Sequence, residues 1–136
     1  MTNYGDLLSS ESLLFAIVGV LLGIWYPELT AAKNVEIPDL LTDAEPERAQ
    51  VGEALRIKAW PLALAALSVA LVFTPSSVLA IDHAIRAFGR YQWSGFKKYD
   101  PVQTSIVLVT VLTYLLAIYL FSWVYNLRKV SKTLNP

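Results

Sequence analysis

Cysteine is absent from the sequence, which excludes disulfides, thiolate metal sites and thiol nucleophiles. Histidine occurs once, at His83 beside Asp82, so no multi-histidine zinc site can form. Charge is scarce: Asp, Glu, Lys and Arg make up 16% of the chain, against roughly 25% in a soluble domain. The formal net charge is zero, and no nucleic-acid partner is expected from it. The serines Ser9, Ser10, Ser12, Ser76 and Ser77 lack a GxSxG context. A Gly-rich phosphate loop, HExxH and CxxC are all missing. The reading is therefore of a chain with no catalytic residues, no cofactor and no bound metal.

What is abundant is apolar sequence, 55% of the chain, gathered into blocks rather than spread at a helical or strand period. From Ala59 to Ile81 there is no ionisable side chain, a run of 23 residues, where a spanning helix needs about 20. From Pro101 to Leu127 another 27 residues are uncharged. The Leu, Ile, Val and Phe side chains between Ile106 and Val124 sum to roughly −5 kcal/mol of insertion free energy.

The first run, Ser12 to Pro27, has 16 uncharged residues and is about 24 Å long as a helix, short of the ~30 Å hydrocarbon core. Either the helix starts near Asp6, with Glu11 at headgroup level, or the segment is interfacial or re-entrant. Trp25 and Tyr26 form an aromatic belt at one end, which favours spanning, and Pro27 marks the expected stop. Residues 1–11 are acidic, unlike the basic start of a signal peptide.

The fold class expected is all-α: an integral membrane protein with three transmembrane helices, at about 8–27, 59–81 and 104–125, in a single domain 1–136. Pro75 removes a backbone donor and predicts a kink in the middle helix. Ser76 and Ser77 are placed to satisfy the carbonyls it frees. In the first connection, Thr42 and Glu45 have capping-box spacing, and Val51, Ala54 and Leu55 share a face. Residues 43–59 are expected to form an amphipathic helix leading into the middle span. Beyond Asp82, Ile81, Ile85 and Phe88 carry an apolar stripe onward, with Gly89 the expected terminator.

Within the spans, Gly19 and Gly23 have GxxxG spacing, and Ala66 and Ala70 make the middle helix small-sided. Thr110, Thr113 and Ala117 fall on one side at i, i+3, i+7 and form a natural counter-surface for the two glycines. Trp25, Tyr26, Trp60, Trp93, Trp123 and Tyr125 are the expected interface anchors. Arg86, Arg90, Lys97 and Lys98 interleave with aromatic residues beside a span, which reads as headgroup anchoring.

The spans contain no charged residue at hydrocarbon depth on this reading, whereas carriers and pumps place one there. The expected function is therefore an accessory or structural subunit of a membrane complex, without enzymatic activity. The alternative is an oligomeric pore-forming or membrane-perturbing effector, of holin or defence type. Partners expected are the lipid bilayer and other membrane subunits or copies of the chain. Seven Lys and Arg lie on the side of the first connection and the tail, and four on the other. That bias predicts an inner-membrane protein with the N-terminus outside and the C-terminus in the cytoplasm.

Overall fold

A computed structural model describes residues 3–36, 44–91 and 100–135. Four α-helices follow one another: α1 Tyr4–Lys33, α2 Glu45–Glu53, α3 Trp60–Tyr91 and α4 Pro101–Leu134. No strand occurs among the described residues. A π turn, Ala54–Ala59, joins α2 to α3 without a break, and the apolar helix can be followed from Glu45 to Arg86. Three helices are thus long and apolar enough to cross a membrane. The expected spans lie inside α1, α3 and α4, apart from Ala59 in the π turn, and the helix of the first connection does run straight into the middle span.

The ends of α1 and α4 are set by local chemistry. Asn3 Oδ1 accepts from the Gly5 N–H at 3.2 Å and caps α1. Asp100 Oδ1 accepts from the Val102 N–H at 2.9 Å, with Pro101 at the first helical position. Hydroxyls inside the spans bond back to carbonyls one turn earlier: Ser68 to Leu64, Thr74 to Ala70 and Thr113 to Val109, at 2.7–2.8 Å. These three hydroxyls are satisfied without water, as a hydrocarbon surrounding requires.

One proline behaves differently from expectation. Pro27 does not stop α1, which continues through it to Lys33. The extra turns bury Leu29 and Ala32 completely, and that packing outweighs the lost backbone bond. α3 carries Pro75 within its length and runs past Gly89, the expected terminator, to Tyr91. The π turn was not anticipated. Its Trp60 N–H reaches back five residues to the Leu55 carbonyl. Pro61 follows immediately, and a widened turn relieves the clash between its ring and the Ile57 carbonyl.

α3 and α4 form the most extensive helix pair, and α1 lies across them, more against α4. The pair is antiparallel: Ser77 meets Thr110 and Thr74 meets Tyr114. Small side chains line the interior, with Ala63, Ala66 and Ala70 of α3 and Thr113 and Ala117 of α4 all buried. Close backbone approach and dispersion hold such a seam, since lipid offers no hydrophobic drive between helices. The outer faces carry Leu13, Ile17, Leu64, Leu71, Val72, Leu108, Leu115 and Ile118, all exposed and suited to acyl chains.

Candidate functional site

The bundle has two ends of different character. At one end, the last turns of α1, the π turn, the start of α3 and the end of α4 come together. Tyr26 packs edge-on to Trp123 with ring centroids 5.8 Å apart, and Trp60 edge-on to Phe121 at 6.2 Å. Lys33 lies over the Trp123 ring and Arg128 over the Trp60 ring, both at 5.2 Å. Lys58 forms an ion pair with Glu28 and lies 3.8 Å from Glu53. A cleft of about 410 Å³, lined by Pro27, Glu28, Gln50, Glu53 and Lys58 among others, opens here.

The expected anchors therefore separate. Tyr125 is exposed, and Trp25 and Trp60 are half-buried, but Trp123 is only 7% exposed and belongs to the core. Trp93 lies outside the described residues, as do Lys97 and Lys98.

The second feature lies toward the opposite end and was missed. Glu11 of α1 is completely buried. The Thr110 hydroxyl of α4 donates to its Oε1 at 2.5 Å and lies 2.9 Å from the Ile106 carbonyl. The Ser77 hydroxyl of α3 is 2.7 Å from Thr110 Oγ1. Three helices thus deliver three polar side chains to one point. Glu11 Oε2 is equally buried and makes no hydrogen bond.

The depth of this point follows from helix rise. Glu11 is about 8 Å along α1 from Asp6 and about 25 Å from Glu28, at 1.5 Å per residue. Ser77 is about 8 Å from Asp82 and about 28 Å from Lys58. Thr110 is about 15 Å from Asp100 and about 27 Å from Arg128. The cluster therefore lies nearer the Asp82 end of the bundle than the Lys58 end. Glu11, expected as a marker of the headgroup level, is thus turned inward between the three helices rather than left on the outer surface. Ser77 is also not free to repair the Pro75 gap alone, because its hydroxyl is engaged with Thr110.

The helix-packing residues divide as well. Ala66, Ala70, Thr110, Thr113 and Ala117 are buried. Gly19 and Gly23 are exposed, and a Cβ built on either would meet nothing within 4 Å. They do not meet the Thr110 face; Glu11, two turns earlier on α1, does. The expectation that the glycines pack on that counter-surface is corrected. Asp82 pairs with Arg86 at 2.8 Å one turn away rather than with His83, which is exposed. Among the described residues no group of three or more His, Cys, Asp or Glu could hold a metal ion.

These features define a multi-pass membrane protein with a buried carboxylate at the meeting point of its three spans. No family model, no curated protein and no solved structure matches the chain.

Proposed function

We propose that this protein is a non-enzymatic accessory subunit that packs in the membrane against a helix of a larger complex. The observation that carries the reading is the outward strip on α1. Ala16, Gly19, Val20, Gly23 and Ile24 are all exposed, and the two glycines leave a notch open to 4 Å. Small residues four apart let a second backbone approach closely, which is the main source of affinity between helices in lipid. α1 is also the least covered of the three spans.

The pore-forming alternative needs Ser and Thr hydroxyls facing a shared axis between copies. Ser77, Thr110 and Thr113 are instead turned into the interior of one copy, which favours the accessory reading. The orientation follows the Lys and Arg bias. Lys33, Lys58 and Arg128 gather at one end, which we place in the cytoplasm of a bacterial inner membrane.

Purification in mild detergent with mass measurement tests the proposal. The expected result is a companion membrane protein that is retained by the native chain and lost from the Gly19→Leu/Gly23→Leu variant. A lone monomer, or a companion indifferent to both substitutions, contradicts it. A homo-oligomer that conducts ions in vesicles supports the pore instead.

A further inference from the structure

Glu11 is the only ionisable side chain among the described residues that is buried. Three of its properties bear on what it binds. First, it is completely buried, where an uncompensated charge is costly. Second, it has no ionic partner among the described residues. Lys58 is engaged by Glu28 and Glu53 at the far end of the bundle, and Arg86 by Asp82. Third, its coordination is half complete: Oε1 accepts from Thr110, whereas Oε2 is enclosed and unbonded.

We propose that Glu11, Thr110 and Ser77 form an intramembrane binding site for one monovalent cation, a proton or a sodium ion, taken at Oε2. Charge balance selects the class. One carboxylate and two neutral hydroxyls compensate a single positive charge, and a divalent ion would leave a buried excess of one. Hard oxygen donors match both occupants, and the Ile106 carbonyl, 2.9 Å from Thr110 Oγ1, is a further oxygen at the site. The hydroxyls adapt to either, because each can donate or accept by rotating its proton. Because Glu11, Thr110 and Ser77 form one hydrogen-bonded chain from α1 through α4 to α3, occupancy ties the three spans together.

Among the described residues, the other titratable groups at that end of the bundle are engaged, half-buried or exposed. Asp6 accepts from Asn3 at 2.7 Å, Asp82 pairs with Arg86, and Asp100 caps α4. The Tyr114 hydroxyl is 2.6 Å from that of Thr74, Tyr4 is half-buried in the first turn, and His83 is exposed. None of them bonds to Glu11.

The test uses the full chain in phosphatidylcholine vesicles and dicyclohexylcarbodiimide, an apolar reagent that adds to a carboxylic acid shielded from water. Mass spectrometry locates the label. In sodium-free buffer Glu11 is expected to be labelled, with a rate that changes between about pH 5 and about pH 9. Sodium at about ten times its dissociation constant then cuts the rate about tenfold if sodium is the occupant, and leaves it unchanged if the occupant is the proton. Glu11→Gln abolishes the label. Thr110→Val, which keeps the carboxylate, is expected to shift the response by about tenfold in sodium concentration or about one pH unit. Absence of label on Glu11 across that range overturns the site. So does labelling by a water-soluble carbodiimide as fast as at exposed Asp6, or a Thr110→Val response superimposable on the native one. None of these readouts depends on a companion subunit, so the accessory reading can fail without affecting them.

Discussion

The hydroxyl of Thr74 lies 2.6 Å from that of Tyr114, one turn along the seam from the 2.7 Å contact between Ser77 and Thr110. The two bridges bracket Pro75, where α3 lacks a backbone bond. They fix the register of α3 against α4 at the point where α3 is weakest. A double-mutant cycle with Thr74→Val and Tyr114→Phe should return a coupling of about 0.6 kcal/mol, the usual worth of a hydrogen bond between membrane helices. A coupling of zero in a denaturing-detergent titration would mean that the two hydroxyls do not meet.

Thr110→Val removes the donor to Glu11 and leaves both carboxylate oxygens unbonded. A loss of about 1–3 kcal/mol in folding free energy is expected from an unsatisfied buried acceptor. Combining Thr110→Val with Glu11→Leu should recover part of that loss, because replacing both partners removes the desolvated group. The same detergent titration in bicelles measures it.

Gly19 and Ala117 make a contrast between two small residues in apolar helices. Gly19→Leu should change the stability of the isolated chain by less than about 0.5 kcal/mol, since nothing lies within 4 Å of its Cβ position. Ala117→Leu should cost about 1–3 kcal/mol, because Ala117 is only 2% exposed and extra carbon atoms there overpack the seam. Equal costs would contradict the orientation of α1.

Trp123 and Tyr125 are two residues apart and differ tenfold in exposure, 7% against 70%. Trp123→Ala should cost about 3–5 kcal/mol as a large core truncation that also strips Tyr26, Tyr119 and Lys33 of their ring partner. Tyr125→Ala should leave folding nearly unchanged. Comparable losses in the two variants would show that both rings act only at the lipid interface.

Sidedness can be read without background because the chain has no cysteine. Single exposed substitutions, Asp6→Cys and Thr133→Cys, should react with an impermeant maleimide from opposite faces of the membrane, with Asp6→Cys reacting from outside cells. The reverse pattern would show that the acidic first connection outweighs the Lys and Arg bias.

The three spans were legible because the signal is local: uninterrupted apolar runs need no knowledge of partners. The spacing of Thr110, Thr113 and Ala117 was legible for the same reason, and all three are buried. Glu11 was not, because a charge near the start of a short apolar run looks like a headgroup marker. Its burial depends on Thr110, 99 positions away, and on Ser77 behind it. The outward turn of Gly19 and Gly23 was likewise hidden, since their spacing says that one face is narrow but not which way it points. Pro27 misled because the packing of Leu29 and Ala32 that carries α1 past it is tertiary.

The widened turn at Ala54–Ala59 acts as a phase corrector. Interior positions along the long middle rod advance by three or four residues nearly throughout, as at Leu62, Ala66, Ala70, Phe73, Ser77 and Ala80, yet step by five from Ala54 to Ala59. One surplus residue is looped out, so the acidic stub and the lipid-embedded shaft present the same side to the bundle. Shortening the chain by one residue inside that turn should leave both halves in phase. The same deletion between Leu62 and Ala70 should swing the stub by about 100°.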